Sequence, residues 1–551
     1  VNYDILITSG YMNNKLYYKI AYNSGIYSEE EISLFLGRIK KLLRNMLIDP
    51  ELLVSEICII DNAEIEELKR VSLITKEYDF NRSIIELFEE RAEEFPMSTA
   101  VFFNDKSITY QELSYKADQL AKQIINLGVN ENDFVGILID RSIEMIIALL
   151  GILKAGAAYV PIDTELPTKR KEYIIEDSGI NVLITNNDAV NDLRISDNVK
   201  KVYVDQIKDN NEESKSIVAS YHMDDAMYMI YTSGSTGKPK GVIVENRTLL
   251  NLLAWENEEL NIMPHDNVLW STSISFDVAT QEILTTLVSG ATGFLISSEQ
   301  KKDKNMMLKY IEDNEINVVF TTPSYFSALT SDENSTKIIC RNFNKVILAG
   351  EKFFINDNVR SCGLAQNISF YNNYGPTETH VVTSKVYNVN DLVSNSIGKP
   401  ISNTHIYIIN KGVLCGIGII GEICVAGTPV ARGYLNRNDL NEEKFRENPF
   451  GDGKLYYTGD IGKWLDNGEI EYLGRKDDQL KIRGFRVELG EIENEIRKSN
   501  DEIIDVAVVA KGENDKRICA YIVSHEEIDL KQLRVDLMEN LPDYMIPLML
   551  Q

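Results

Sequence analysis

The chain has 551 residues and carries 57 lysine and arginine residues against 84 aspartate and glutamate residues, a formal net charge of -27. Single hydrophobic cores stop growing beyond about 250 to 300 residues, so this length predicts several domains. Nucleic-acid binding needs a basic surface that releases counterions. The acidic composition therefore excludes nucleic acid as an expected partner.

The cysteines and the apolar runs indicate the compartment. Six cysteines lie far apart with no C-x-x-C pair, which predicts neither a disulfide framework nor a zinc site and favours a reducing cytoplasm. Apolar runs such as 145–153 are much shorter than the ~20 residues of a membrane span, and Val1 opens no signal sequence. We expect a cytoplasmic protein without a membrane partner, cut from a longer chain because it starts without Met.

The first 70 residues begin with a short segment of alternating residue types, "KLYYKIAYNSG", and then change pattern. An amphipathic helix is predicted from Glu29 to about Leu47, followed by a strand over Ser55–Ile60. This is too little for an independent domain.

From about Ser83 to Gly474 the pattern becomes strand, helix, strand, which favours parallel sheets with helical crossovers. Thr109 and Glu112 form a capping box at the start of a helix that Gly128 can close. A strand over 134–139, a helix over 143–154 and a strand over 158–162 repeat this logic. We predict an α/β fold with a large core of stacked parallel-type sheets and helices.

After about Asp477 a smaller unit begins. It reads as a helix over 490–499, strands over 503–511 and 517–524, and a helix over 529–541. This order predicts a small α+β subdomain at the carboxyl end.

A glycine-rich segment, Tyr231–Gly241 ("YTSGSTGKPKG"), lies between two of the predicted elements. It is not a Walker loop, because Pro239 follows Gly237-Lys238 and Thr232 stands where the first glycine belongs. Its closely spaced amides and hydroxyls, with the charge of Lys240, are suited to phosphate oxygens. By itself the segment is equally consistent with a flexible turn.

A series of motifs in fixed order accompanies this loop, and together they resemble the adenylation domains of nonribosomal peptide synthetases, in the adenylate-forming (ANL) superfamily. The motifs are "ITYQEL" (108–113), "LKAGAAYVPID" (153–163), "YTSGSTGKPKG" (231–241), "FDVA" (276–279), "NNYGPTE" (372–378), "GEICVAGTPVARGYL" (421–435), "YYTGD" (456–460), "GRKDDQLKIRGFRVELGEIE" (474–493) and "LPDYMIP" (541–547). Each motif is weak alone, but the ordered set is specific and spans most of the chain.

The resemblance implies a role for each motif. Tyr374 is implied to stack on adenine, Asp460 to bind the ribose hydroxyls, and Glu378 to ligate Mg²⁺, which prefers oxygen ligands. The implied catalytic residues are Thr232, Ser233, Lys240 and Glu378. The implied nucleotide-binding residues are Thr232, Ser233, Gly234, Ser235, Thr236, Gly237, Gly350, Asn373, Tyr374, Gly375, Thr377, Asp460, Tyr472 and Arg475.

The resemblance also implies an amino-acid pocket. Asp277 is implied to hold the α-ammonium group of the substrate through a charge-assisted contact, although an aspartate here would also suit a helix N-cap. Most of the other positions are apolar and of middling size, so acidic and basic substrates are not expected. The pocket positions are Asp277, Val278, Gln281, Phe320, Ile347, Ala349, Asn373, Val381 and Val382.

Read in order, these residues resemble the pocket of proline-activating domains. The departure is Asn373, which stands where those domains usually have histidine. Proline, a substituted proline and another small or medium apolar amino acid all stay open.

The resemblance divides the chain into three parts. Residues 1–70 resemble the tail and linker of a condensation domain, residues 80–475 an adenylation core, and residues 478–551 an incomplete carboxyl-terminal subdomain. That subdomain is implied to swivel about a hinge at Asp477, which brings either the loop around Lys481–Gly484 or a later lysine over the site. The lysine loop would follow Gln551, so this chain is expected to adenylate poorly.

The implied reaction activates an amino acid with ATP and Mg²⁺ and passes it to a phosphopantetheine thiol. The implied partners are a carrier domain downstream and a condensation domain upstream, in the biosynthesis of an antibiotic-type peptide. Two alternatives remain, an acyl-CoA or aryl-acid ligase of the same superfamily and a non-catalytic nucleotide-binding module of a megasynthase.

Overall fold

The protein is described here by a computed structural model. The structure describes residues 3–53, 57–186, 189–206, 217, 219–234, 237–391, 395–477, 479–482, 484–512 and 517–551.

The amino-terminal segment is a two-stranded antiparallel hairpin followed by helices. Its elements are β1 (Ile5–Met12), β2 (Lys15–Tyr22), α1 (Glu29–Ile48) and α2 (Asn62–Ser72). Ser28 and Glu31 form a capping box that starts α1 where the sequence predicts a helix.

The strand predicted for Ser55–Ile60 is wrong in its described part. Residues 57–60 form no regular structure, and they lead directly into Asp61, whose carboxylate accepts a hydrogen bond from Glu64 N as the N-cap of α2. The described part of this stretch therefore leads into a capped helix.

The next part of the chain alternates strands and helices as predicted. In chain order it contains α3 (Ile84–Glu94), β3 (Thr99–Phe103), β4 (Lys106–Thr109), α4 (Tyr110–Asn126), β5 (Phe134–Leu138), α5 (Ile143–Lys154), β6 (Ala158–Pro161), α6 (Thr168–Ser178), β7 (Val182–Thr185), β8 (Lys200–Tyr203), β9 (Ala226–Thr232) and β10 (Lys240–Glu245). The capping box of Thr109 and Glu112 is confirmed. Gly128 has a φ of 88° directly after the end of α4, which confirms that a glycine closes that helix.

The second half of the core begins with the same alternation. It contains α7 (Asn246–Glu259), β11 (Asn267–Trp270), α8 (Asp277–Val288), β12 (Thr292–Leu295), α9 (Ser298–Lys302), α10 (Lys304–Asp313), β13 (Val318–Thr321), α11 (Pro323–Leu329), α12 (Glu333–Asn342), β14 (Lys345–Ala349), α13 (Asp357–Ser361) and β15 (Ser369–Tyr374).

From residue 383 to residue 475 the pattern differs from the predicted strand-helix-strand order, because consecutive strands pair antiparallel. The elements are β16 (Thr383–Tyr387), β17 (Ser396–Pro400), β18 (Thr404–Asn410), β19 (Val413–Leu414), β20 (Gly421–Gly427), β21 (Gly433–Tyr434), α14 (Asn438–Lys444), β22 (Phe445–Glu447), β23 (Lys454–Trp464) and β24 (Ile470–Arg475). Lys411 and Gly412, both with positive φ, close β18 onto β19 in a two-residue turn. Such a turn reverses the chain and leaves no room for a helix.

Two large sheets make up the core, which confirms the predicted α/β class. One runs β21-β10-β9-β6-β5-β7-β8, and its strands β9, β6, β5, β7 and β8 are parallel. The other runs β19-β18-β20-β23-β24-β17-β16-β15-β14-β13-β11-β12-β3-β4, and its strands from β15 to β3 are parallel. Ligands of such sheets bind beyond the carboxyl ends of the parallel strands.

The small carboxyl-terminal unit has its own hydrophobic cluster, which includes Val487, Ile492 and Leu537. Its elements are β25 (Gln479–Ile482), β26 (Phe485–Glu488), α15 (Leu489–Ser499), β27 (Ile503–Lys511), β28 (Arg517–Ser524), α16 (Leu530–Met538) and β29 (Met549–Leu550). The predicted order of helix, two strands and helix is confirmed. The hairpin of β25 and β26 precedes it and was missed.

All six cysteines are free thiols. Across the described ranges, no helix combines the length and the apolarity that crossing a membrane requires.

Candidate active site

The glycine-rich loop joins β9 to β10 at one end of the first sheet. Thr232 pairs with Lys240 across these antiparallel strands, and Gly237 N donates to Gly234 O at 2.9 Å within the turn. The Thr232 hydroxyl oxygen is buried and has no hydrogen-bond partner in the described part of the chain. The predicted residues Ser235 and Thr236 lie outside the described residues.

A buried charge cluster lies beside the end of this loop. Both oxygens of Glu378 accept hydrogen bonds from Arg486 Nη1 at 2.8 Å, and Oε1 also accepts one from the Tyr434 hydroxyl at 2.7 Å. Lys240 Nζ lies 3.6 Å from Glu378 Oε1 and donates to the Tyr434 hydroxyl at 3.1 Å. The candidate phosphate lysine and the candidate metal ligand are therefore neighbours.

Burial and charge act in opposite directions on these groups. Burial alone would raise the pKa of Glu378, but Arg486 and Lys240 hold that pKa below its ordinary value. Burial, reinforced by Arg486, lowers the pKa of Lys240 to about 8. The Glu378 carboxylate is therefore ionised at neutral pH, with Arg486 and Lys240 as its cationic neighbours.

A second cluster surrounds Asp460. The pairing of β23 with β24 places Arg475 opposite Asp460, and Arg475 Nη1 donates to Asp460 Oδ1 at 2.7 Å. The Tyr374 hydroxyl, at the end of β15, donates to Oδ2 at 2.6 Å, and the Tyr472 hydroxyl lies 3.4 Å from Oδ1. Three residues predicted for nucleotide binding thus meet at the carboxylate of a fourth, Asp460.

Two of the predicted glycines make close backbone approaches. Gly350 follows β14 with a φ of 86°, and a Cβ added there would lie 3.6 Å from the Cα of Gly484. A Cβ on Gly375 would lie 1.6 Å from His380 O. Thr377 is half-buried in the same turn, two residues after Gly375. Only glycine fits the backbone at position 375.

Asp277 is the first residue of α8, so the N-cap alternative is wrong. Phe276 occupies the cap position, and no side chain caps the helix there. Asp277 Oδ1 accepts a hydrogen bond from Val278 N at 2.8 Å. His380 Nδ1 accepts from Val381 N, which leaves Nε2 to donate to Asp277 O at 3.2 Å.

The strand register places four of the predicted pocket residues, those on β13, β14 and β15, on one face of the second sheet. Phe320 of β13 pairs with Ile347 of β14, and Ala349 pairs with Asn373 of β15. Paired residues and residues two apart share a face. Phe320, Ile347, Val381 and Val382 are buried in one cluster, against which Val278 packs.

The Gln281 side chain is hydrogen-bonded to Glu256, an acid that was not predicted. Its Nε2 donates to Glu256 Oε1, and the Thr285 hydroxyl donates to Glu256 Oε2. Glu256 and Gln281 are both buried. Glu256 was missed because "WENEEL" reads as an acidic run on the exposed side of a helix.

Comparison with known proteins gives the family. The sequence model described as "AMP-binding enzyme" matches residues 88–435. The chain belongs to the AMP-binding enzyme family. This match, together with the synthase relatives and the solved synthetase structure that follow, confirms the predicted resemblance to adenylation domains of nonribosomal peptide synthetases.

The relatives include tyrocidine synthase 2 of Brevibacillus parabrevis, 34% identical over 99% of this chain and 15% of that protein. Gramicidin S synthase 2 of Brevibacillus brevis is 36% identical over 99% of this chain and 12% of that protein. This adenylation domain thus spans a small part of the length of the curated relatives that it matches. A solved structure of a four-domain nonribosomal peptide synthetase, holo-AB3403, bound to AMP and glycine, is 27% identical with a TM-score of 0.72, covering 100% of this chain and 41% of that chain.

In this adenylation domain the hairpin of β25 and β26 lies over the site. Gly484 N donates to Glu351 Oε1 at 2.9 Å, and the Ser233 hydroxyl donates to Arg486 O at 2.9 Å. The Phe485 ring contacts the Phe276 ring edge-on, with centroids 5.1 Å apart. The described part of the predicted loop around Lys481–Gly484 therefore covers the site, whereas residue 483 lies outside the described residues.

A buried ion pair joins the small unit to the core. Arg170 Nη1 of α6 lies 2.8 Å from Glu491 Oε1 of α15, and both side chains are buried. Asp477, the predicted hinge, accepts from Arg475 Nε at 2.6 Å and from Nη2 at 2.9 Å. Whether Asp477 acts as the hinge stays a prediction.

Several residues of the site were missed by the sequence analysis. Arg486 and Tyr434 lie within quoted motifs, and Glu351 directly follows the predicted residue Gly350. A carboxylate directly after a strand, as in "LAGE", was the available signal for Glu351, since such strand ends border ligand sites.

Proposed function

We propose that this adenylation domain activates a neutral amino acid with ATP. The amino-acid carboxylate oxygen bonds to the α-phosphorus of ATP, the bond from that phosphorus to the bridging oxygen breaks, and pyrophosphate leaves. The products are an aminoacyl-adenylate and pyrophosphate.

The observation that carries this proposal is the unpaired carboxylate of Asp277. It lies at the start of α8 beside the largely apolar pocket, and it forms no ion pair with any residue that the structure describes. A half-buried carboxylate is costly without a cation. The α-ammonium group of an amino acid supplies that cation, which a fatty or aryl acid lacks.

The residues on the nucleotide side of the site are suited to binding the ribose and the phosphates of ATP. Asp460 offers carboxylate oxygens for ribose hydroxyls, and the orphaned hydroxyl of Thr232 is a donor for a phosphate oxygen. Lys240 adds positive charge next to the loop. Catalysis here consists of positioning the reactants and stabilising phosphate charge.

Glu378 is suited to Mg²⁺, which would neutralise phosphate charge when bound. In the described part of the chain, no group of three or more His, Cys, Asp or Glu side chains could hold a metal. Mg²⁺ commonly takes one carboxylate together with substrate phosphates and water. Arg486 donates hydrogen bonds to both oxygens of Glu378. The ion could therefore bind this carboxylate only after the hairpin that carries Arg486 has moved away.

The second step transfers the aminoacyl group to a thiol. The sulfur of a phosphopantetheine arm attacks the acyl carbon, a thioester forms, and AMP leaves. The relatives are long synthases, which supports a carrier domain as the donor of that thiol and a condensation domain as a further partner, with residues 1–70 as its tail.

The test is amino-acid-dependent exchange of labelled pyrophosphate into ATP, with ATP binding measured separately by calorimetry. We expect Asp277→Ala to abolish exchange and to leave ATP affinity unchanged, because the proposed role of Asp277 is to bind the α-ammonium group of the amino acid and not the nucleotide. Asp357→Ala is the matched control, since Asp357 is an exposed first residue of α13.

Each alternative has its own outcome. Exchange with fatty or aryl acids but with no amino acid would indicate an acyl-CoA or aryl-acid ligase. ATP binding with neither exchange nor binding of any amino acid would indicate a nucleotide-binding module. Undiminished exchange in Asp277→Ala would remove Asp277 from the site.

A further inference from the structure

A polar group in the wall of the amino-acid pocket has no partner among the residues that the structure describes. Asn373 is 2% exposed, and its amide nitrogen Nδ2 makes no hydrogen bond with any of them. Its oxygen Oδ1 accepts a hydrogen bond from the Ser384 hydroxyl at 2.7 Å. The side chain is therefore fixed at its oxygen, and its donor end is left unmet.

The apolar surroundings of Asn373 make its missing hydrogen bond costly. The register places Asn373 on the same sheet face as Ala349, Ile347 and Phe320, and none of these side chains can accept a hydrogen bond. The other amide of the pocket is satisfied, since Gln281 Nε2 donates to Glu256. Asn373 thus supplies an unmet donor within an apolar wall.

A buried donor without an acceptor costs about 1 to 3 kcal/mol. Proteins keep few such groups, and a ligand is one explanation for those that remain. The same cost is what lets a polar site discriminate, because a ligand that lacks the matching atom leaves the protein group unpaired. An apolar amino acid would leave Asn373 Nδ2 without a hydrogen-bond acceptor.

We propose that the substrate is a neutral amino acid of about the size of proline or valine whose side chain carries an oxygen, first of all a hydroxyl, that accepts a hydrogen bond from Asn373 Nδ2. This rests on the proposed function and narrows its substrate class. Asn373 then selects against the apolar counterpart of each such amino acid.

The experiment uses amino acids in matched pairs. L-Threonine and L-valine have nearly the same shape and differ by a hydroxyl in place of a methyl group, and 4-hydroxy-L-proline, as both epimers, is matched with L-proline. Binding is measured by calorimetry with the full chain saturated with a non-reacting α,β-methylene analogue of ATP. We expect at least one hydroxylated member to bind about tenfold or more tightly than its apolar partner.

Two variants assign the preference to Asn373. Asn373→Leu keeps the approximate size and removes the donor, so the ratio of affinities should fall to about one or reverse. Asn373→Ala also removes the donor, without introducing an acceptor, and serves if the leucine variant does not fold. Asn388→Leu is the control, because Asn388 is exposed just after β16 and its replacement should retain the preference.

The outcomes separate this inference from the proposed function. If valine and proline bind more tightly than their hydroxylated partners, the inference is overturned while amino-acid activation stands. If the wild type binds the ATP analogue but no amino acid, the proposed function fails. If Asn373→Leu weakens the ATP analogue in the absence of any amino acid, the amide serves the nucleotide and the inference is overturned.

Discussion

Glu256 is a single buried acid that makes the stability of the core depend on pH. It is a residue of α7 with 0% exposure. Both oxygens of its carboxyl group accept hydrogen bonds from side chains of α8. It forms no ion pair with a residue in the described ranges. Burial raises the pKa of Glu256 to about 8, although the hydrogen bonds from Thr285 and Gln281 oppose this.

This pKa predicts a loss of stability at higher pH. The unfolded carboxyl titrates near 4.3, whereas the folded one keeps its proton up to about 8. Between these values the folded state binds more protons, so the free energy of unfolding falls as pH rises. Replacing Glu256 by Gln should remove this contribution, which is on the order of 1 to 4 kcal/mol.

The measurement is the melting temperature of wild type and Glu256→Gln at pH 5 and at pH 8. We expect the variant to gain stability relative to wild type at pH 8 and not at pH 5. Exposed Glu299 gives the control substitution Glu299→Gln, for which the difference should be the same at both pH values. An equal difference for Glu256→Gln would show that its carboxyl is ionised throughout.

At the residue scale, short motifs were enough to predict which residues lie together, while their roles stay a prediction. Asp460, Tyr374, Tyr472 and Arg475 could be predicted together, and they lie together. Glu256 could not be predicted, because its burial follows from the packing of α7 on α8 rather than from its neighbours in the chain.

At the scale of elements, the hairpin of β25 and β26 was the main omission. Its strands have only four residues each, and their alternation is hidden among charged residues in "QLKIRGFRVE". The hairpin is stabilised on the core by contacts outside itself, including Glu351 with Gly484 and Phe276 with Phe485. Such contacts leave no local sequence pattern.

The ion pair of Arg170 and Glu491 is expected to keep this hairpin docked. The pair is buried, with side chains 7% and 2% exposed, and removing one partner of a buried pair leaves an uncompensated charge. Arg170→Met should therefore speed hydrogen exchange in peptides from residues 479–488, measured by mass spectrometry.

The neighbouring residue provides a matched control on the same helix. Lys169 of α6 pairs with Glu539 of the small unit at 3.0 Å, but these side chains are 60% and 61% exposed. Exposed pairs contribute little, so Lys169→Met should leave exchange of the hairpin unchanged. Equal effects of the two variants would contradict a special role for the buried pair.

At the scale of the whole molecule, the alternation of strands and helices predicted the parallel halves of both sheets. The antiparallel run from 383 to 475 was not predicted, because its reversals depend on turn conformations such as the positive φ of Lys411. How the small unit lies on the core depends on side chains distant in sequence, such as Glu378 and Arg486.

The contact between Glu378 and Arg486 predicts competition between the docked hairpin and Mg²⁺. With both oxygens of Glu378 hydrogen-bonded to Arg486, a metal ion reaches that carboxylate only from a state in which the hairpin has moved. A ligand that binds one of two states has its apparent affinity reduced by the population of the other.

Removing the competitor should therefore strengthen the binding of Mg²⁺ with ATP. We expect Arg486→Met to lower the apparent dissociation constant of ATP measured by calorimetry with Mg²⁺, and to have little effect with EDTA in place of Mg²⁺. Arg497→Met is the control in the same unit, since Arg497 is half exposed and pairs with Asp505. Weaker binding of ATP by Arg486→Met than by wild type in the presence of Mg²⁺ would mean that Arg486 assists the nucleotide instead of competing with the metal.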